Sequence, residues 1–394
     1  MREFKVGIVE GDLRVSDGYV VKAERNRIIV RGRIICSGDC TFEAPVEAEA
    51  LRARNGSVVV EGDLKIRRDL EVRNGKLSVY GGLEADDIDV DEQLFVEGYI
   101  KASDINVGGT LKADSIEALE VDVGGVLRVK GELRASDVSV GGSMTCRRMS
   151  VERLDVGGTA KVEEGHVKDS ISVGGTFESK GSIEAGRLDV GGVARLGKAN
   201  IGDIEVGGSL SVSGDLKAER INVGGSIRVR GEFEAESVDV GGFIEIEGGA
   251  DVKRRINVGG VIKVGGVLRA KRIDVGGSIE ARRIYTDRIE ANNIMAEEGV
   301  WADLIVIGRR GNVRGKIVAK RACLRERTRV EDVYAEELEA EDMCMMRNVY
   351  AHRAILGDRC TILGELKYVD EIRLGEGVRL ARQPERVTKM EFPE

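Results

Sequence analysis

The fold is decided by the stretch Ile221-Asn222-Val223-Gly224-Gly225-Ser226-Ile227-Arg228-Val229-Arg230-Gly231-Glu232-Phe233-Glu234-Ala235-Glu236-Ser237, after which Val238-Asp239-Val240-Gly241-Gly242 begins the same phrase again. Apolar residues fall in three apolar-polar-apolar triplets, Ile221/Val223, Ile227/Val229 and Phe233/Ala235. Alternation with a period of two is the pattern of a strand that buries one face. Gly224-Gly225 and Gly231 stand between the triplets, where sharp bends call for backbone angles that a side chain resists. Three short strands and three corners close one coil of triangular outline.

Working outward, Val-Gly-Gly recurs with Val at 107, 123, 140, 156, 173, 190, 206, 223, 240, 258 and 275, so 168 residues are covered in ten steps of 16 to 18. A period held this closely is a solenoid signature. Among the expected corner glycines are Gly108, Gly109, Gly124, Gly125, Gly141, Gly142, Gly157, Gly158, Gly224, Gly225, Gly276 and Gly277. Stacked coils pair in parallel at about 4.8 Å, so residues one coil apart form columns. The first inward column is expected to run Ile105, Val121, Val138, Leu154, Ile171, Leu188, Ile204, Ile221, Val238, Ile256, Ile273. All are β-branched or leucine, as a close-packed ladder requires. The expected fold is all-β, a single long parallel β-helix (β-solenoid) with about 17 residues per coil. Its roughly 22 coils would stack to on the order of 100 Å. The chain of 394 residues has 53 glycines and only 3 prolines; proline is scarce because nearly every residue must donate into a ladder.

The flanks carry the same device. Residues 1–100 read as less regular coils around Val30-Arg31-Gly32, Val60-Glu61-Gly62, Tyr80-Gly81-Gly82 and Val96-Glu97-Gly98. Residues 101–282 hold the regular Val-Gly-Gly coils. Residues 283–382 keep the coil with different corners, since Val333-Tyr334-Ala335 and Val349-Tyr350-Ala351 recur 16 apart; Tyr334, Tyr350 and Tyr368 are expected to stack. Residues 383–394, with Pro384 and Pro393, read as a tail or cap that has left the solenoid.

A net charge of −8 argues against broad attraction to nucleic acid or an anionic membrane. No apolar run is long enough to span a bilayer, and Met1-Arg2-Glu3-Phe4-Lys5 leads into no signal-like stretch, so a soluble cytoplasmic protein is expected. Six scattered cysteines without a C-x-x-C pair read as reduced thiols. Cys344 and Cys360 lie one coil apart and are expected to form a thiol ladder within the core.

Catalysis has little to build on. A zinc site of the β-helix carbonic anhydrase type needs three histidines, an acyltransferase needs a general-base histidine beside a protruding loop, and pectin-cleaving helices need loop-walled carboxylate clefts. Here there are two histidines, His166 and His352, both read as partnerless surface residues, and almost no insertions. No catalytic, metal or cofactor residue is expected. The strand centres before each Gly-Gly, namely Asn106, Asp122, Ser139, Asp155, Ser172, Asp189, Glu205, Asn222, Asp239, Asn257 and Asp274, contain no Lys or Arg. They read as a solvated face, with recruitment of a cation or basic partner as the alternative. A second face is read as alternating in sign through Lys112, Arg128, Lys161, Glu178, Arg195, Arg228, Glu245, Lys263 and Glu280, which favours pairs between coils.

With the three-strand coil of 16 to 18 residues, and with the closing stretch Val349-Tyr350-Ala351-His352-Arg353-Ala354-Ile355-Leu356-Gly357-Asp358-Arg359-Cys360-Thr361-Ile362-Leu363-Gly364-Glu365-Leu366-Lys367-Tyr368 followed by Glu371-Ile372-Arg373-Leu374-Gly375, the chain resembles the bactofilins, the polymer-forming cytoskeletal proteins, and particularly their archaeal relatives. The resemblance implies a right-handed β-helix, a cytoplasmic location, no nucleotide, and self-assembly through the ends into filaments that scaffold other proteins. The chain departs from the family in being much longer than its usual core.

The ends of a solenoid expose backbone groups and apolar side chains that must be capped or paired. Phe4, Val6 and Ile8 are expected to point inward at a sticky amino end, and Met390 and Phe392 to fold over the last coil. The expected function is a structural, non-enzymatic, self-associating scaffold whose partner is another copy, with other proteins possible. A binding module using the acidic ladder is the alternative, and a carbohydrate-active or acyltransferase enzyme the weaker one.

Overall fold

A computed structural model of the chain describes residues 2–393; Met1 and Glu394, the outer ends of the two flanking stretches, lie outside the described residues. The protein is all-β, and no helix occurs among the described residues. It divides into two compact units, Met1–Leu196 and Gly197–Glu394. Each unit is a parallel β-solenoid.

Within the first unit the three-strand coil is plain. Strands Lys76–Val79, Leu83–Glu84 and Asp87–Val90 are followed by Gln93–Val96, Tyr99–Lys101 and Asp104–Val107. Each pairs in parallel with its counterpart one coil on, Leu77 facing Leu94, Leu83 facing Ile100 and Ile88 facing Ile105. The registers build buried columns such as Val58, Leu77, Leu94, Leu111, Leu127, Met144, Ala160, Phe177, Ala194. Phe177, fully buried, stands between two alanines of its own column. An interior held at crystal-like density takes one bulky ring only where its neighbours are small. The expected inward column also forms, as Ile105 to Leu188 in the first unit and Ile204 to Ile273 in the second.

The paired glycines occupy the corners, but for a different reason from the expected one. None of the twelve named above has a positive φ. What excludes a side chain is the coil below. A Cβ added at any of these positions would come 2.5 Å or closer to a carbonyl oxygen one coil earlier, of Gly108 for Gly124, Gly207 for Gly224 and Gly260 for Gly277. That oxygen belongs to the stacked backbone and cannot move without breaking a ladder. Gly108 and Gly109 sit in the same way on Asp91 and Glu92.

The last coils turn by another means. Arg310, Arg327, Met343, Arg359 and Gly377, recurring at coil spacing, all lie in the left-handed region, with φ between 55° and 67°. Side chains brace these corners: Asp342 accepts from the Asp358 amide at 2.9 Å, and Asp358 from the Glu376 amide at 2.7 Å. Thr328, Cys344 and Cys360 plug them from inside. The Cys344 and Cys360 thiols donate to the carbonyls of Arg325 and Glu341 at 3.2 and 3.1 Å, and the Thr328 hydroxyl bonds to that of Gly308 at 3.2 Å.

Three expectations about the ends need correction. Val6 is buried, but Ile8 is not inward: it is 63% exposed, because a corner at Gly7 resets the alternation and Ile8 becomes an outward strand centre paired with Ile29. Phe4 faces Val21 and packs edge-on against Tyr19, yet stays half-buried because no described coil covers it. The tail leaves the solenoid later than residue 383, since Glu385–Arg386 still pair with Lys367 and Tyr368. It then turns back against the side wall, and Phe392 packs on Tyr334 and His352 instead of covering the last coil. Met390 is half-buried.

Candidate functional site

Outward strand centres are where this fold can present chemistry, because every inward position is needed for the core. The acidic strip is in register as expected, Asp89, Asn106, Asp122, Ser139, Asp155, Ser172, Asp189 in the first unit and Glu205, Asn222, Asp239, Asn257, Asp274 in the second. Acid and spacer alternate, so successive carboxylates are two coils apart, about 10 Å. A cation with ligands at about 2.5 Å cannot bridge that gap. Arginines also neutralise the strip from its flank: Arg73 binds Asp89 at 2.6 Å, Arg255 binds Asp239 at 2.7 Å and Arg272 binds Asp274 at 2.6 Å. The second face closes into pairs between coils, Lys161 with Glu178 at 3.3 Å, Arg228 with Glu245 at 3.0 Å and Lys263 with Glu280 at 3.6 Å.

A denser acidic column lies one position before each strip residue's inward neighbour and was not singled out from the sequence. Asp69, Asp87, Asp104, Glu120 and Asp137 are stacked in successive coils. Desolvation and the charges of Asp86, Asp104 and Asp69 hold the Asp87 carboxyl above its ordinary range. At the far end Arg153 bonds to Asp137 and draws its carboxyl below that range. Among the described residues no group of three or more His, Cys, Asp or Glu is placed to hold a metal ion.

The histidines are not partnerless. His166 Nδ1 lies 3.3 Å from Glu184 Oε2, one coil on, at an exposed position, and the His352 ring lies 5.5 Å from that of Phe392. All six cysteines are free, and only Cys323 is not buried. Burial pushes the Cys146 thiol up to about 12. Cys344 is likewise pushed up, by its sulfur neighbour Cys360 and by burial, so Cys146 and Cys344 are not poised as thiolate nucleophiles.

The most distinctive surface is an aromatic column on the second unit. Tyr334 stacks on Tyr350 with ring centroids 4.7 Å apart and planes 11° from parallel. Tyr368 is not the third member, for it registers against Ala351, while Lys367 stands over Tyr350. The column extends the other way, through Val318 in register with Tyr334, to Trp301 and Tyr285, which stack at 5.2 Å. Their positions, 285, 301, 318, 334 and 350, follow the coil period, so the sequence held this signal; Val318 interrupts the aromatics and hides it. Burial, and then the hydrogen bond to Glu365, raise the Tyr350 phenol to about 12. A groove of about 560 Å³ runs beside Tyr285, Trp301 and Val318, and Phe392 closes one part of its wall. The Trp301 indole N–H donates to the carbonyl of Pro393, 92 residues further along the chain, at 3.2 Å.

Among the described residues there is no helix long and apolar enough to cross a membrane. Comparison with protein-family models, with curated proteins and with solved structures gives no match to this chain, and the geometry of its faces and edges is what carries a functional reading.

Proposed function

We propose that the chain is a structural, non-enzymatic solenoid that associates with copies of itself, a cytoplasmic, cytoskeleton-like scaffold of the bactofilin kind. One observation carries this reading. Among the described residues the strand Arg2–Val6 pairs with Tyr19–Ala23 on one edge and has no partner on the other, while Phe4 is half-exposed and Ile8 is 63% exposed beside it. An edge of this kind templates further strand pairing unless charge or cover blocks it. The side walls, with charges paired between coils, suit a rigid spacer better than a reaction cleft.

Sedimentation velocity or light scattering tests the reading. Wild-type protein is expected to run as multiples of the single chain, and Phe4→Lys or Ile8→Lys as the single chain. Ile8 points outward, so its replacement leaves the core intact. Single-chain mass for the wild type at every concentration, or unchanged mass for both variants, would overturn it.

A second reading, recruitment of a basic partner or a cation, draws on the five-carboxylate column from Asp69 to Asp137. It requires melting to shift upward with calcium or with an oligolysine. Replacing Asp87 and Asp104 by Asn would then remove the shift.

A further inference from the structure

The aromatic column looks at first like a shelf for stacking sugars, and its covered ring faces argue otherwise. Tyr285 and Trp301 turn faces toward each other, the Arg269 guanidinium lies 5.5 Å from the Tyr285 ring, and Lys316 Nζ lies 4.8 Å from the Trp301 ring. Arg283 also lies over Trp301, at 5.0 Å, and Tyr334 is face to face with Tyr350. A pyranose needs an open ring face; what this wall offers instead is ring edges, an indole N–H and the short floor at Val318. Those features match an aromatic side chain received edge-on with a backbone carbonyl beside it. The structure holds such a pair in place: Phe392 meets Tyr334 at 6.4 Å with planes at 71°, and the adjoining Pro393 carbonyl accepts from Trp301. Proline has no N–H to leave unsatisfied, and its fixed φ keeps the segment extended at little entropic cost.

We propose that the wall formed by Trp301, Val318, Tyr334 and His352 is a docking site for an extended peptide segment with the sequence Phe-Pro, and that the occupant it takes in trans is the 387–393 segment of a second copy. Each chain carries one seat and one ligand segment, so exchange between two copies keeps every contact seen within one chain. The Val387 amide still donates to the Tyr368 carbonyl at 2.8 Å, and residues 388–393 beyond it form no strand that ties them to the coil. Exchange between copies deepens the self-association proposed above by a route separate from the amino edge; the seat itself requires neither.

Trp301 is the sole tryptophan and reports on its own site. A chain ending at Arg386 is titrated with the amidated peptide Val387-Thr388-Lys389-Met390-Glu391-Phe392-Pro393, and tryptophan emission is recorded. The expected result is a saturable change, with the Phe392→Ala peptide binding about tenfold more weakly or worse, since burying an aromatic ring is worth at least that factor. No change, or equal binding of both peptides, would overturn the seat, as would a neutral glucan oligosaccharide that displaces the peptide. Exchange is read separately, with Ile8→Lys in every chain to remove association through the amino edge. The chain ending at Arg386 is mixed with a tail-bearing chain whose seat is blocked by Val318→Lys. Lysine is native at this column in Lys367, so the substitution suits the fold. A one-to-one complex by sedimentation is expected; separate single chains would overturn the use of the seat between copies.

Discussion

The coils between Val107 and Gly277 and those between Arg310 and Gly377 have nearly the same period and the same parallel ladders, yet they turn in different ways. In the first set a glycine pair removes the side chain from a corner that touches the corner beneath. In the second set the chain turns through a left-handed residue, mostly arginine, and recovers the strain with bonds from Asp342, Asp358 and Thr328. Glycine is thus demanded in this solenoid by contact between coils more than by φ. Where the corner turns through a braced left-handed residue, arginine and methionine stand at the turn in place of glycine.

The widest separation between the two kinds of corner comes from adding one methyl group. Gly225→Ala pushes a Cβ into the Gly208 carbonyl and is expected to destabilise the second unit by about 3 kcal/mol, seen as a lower denaturant midpoint. A loss below about 0.5 kcal/mol would mean that the glycine corner can relax, and the contrast would fail. Thr328→Val keeps the shape of the braced corner and strips its hydroxyl, leaving buried carbonyls short of a donor; a loss of about 1–2 kcal/mol is expected. Met343→Gly relieves a left-handed non-glycine residue and should stabilise by about 1 kcal/mol, the opposite sign to the first substitution.

Alkali should act on the braced coils selectively. The Tyr350 phenol titrates near 12 in the folded chain, above its ordinary value of 10.0, because burial and the Glu365 carboxylate oppose its ionisation. A raised folded value means that the stabilisation is complete below pH 10 and is lost as pH rises through about 12. Tyr334 shifts in the same direction. Tyrosinate absorbance should therefore lag, and amide exchange should quicken around residues 334–368 before it does in the glycine coils. The smallest effect concerns the thiols: a titration of freshly purified, unfolded protein is expected to find all six, and a count of four would show that one neighbouring pair, Cys344 with Cys360 or Cys36 with Cys40, had oxidised.

Much of this was legible before any coordinates. The column from Ile105 to Leu188, the charge pairs on the second face and the Tyr334–Tyr350 stack follow from one fact, that a coil of constant length carries each residue onto its equivalent in the next. Errors arose wherever phase or a distant segment mattered. Ile8 was misread because one corner residue, Gly7, shifts the alternation by half a period. Tyr368 does not join the stack because the step between coils here is 17 residues while Tyr368 stands 18 after Tyr350, so it falls on Ala351.

The sequence by itself determined the period, the identity of the core columns and the places where glycine had to stand, since these depend on side-chain chemistry repeated locally along the chain. Only the tertiary structure decided why the glycines are needed, which carboxylates are neutralised and where Phe392 rests. Those answers depend on atoms brought together from different coils, and for Trp301 and Pro393 from 92 residues apart, a distance across which no local pattern carries information.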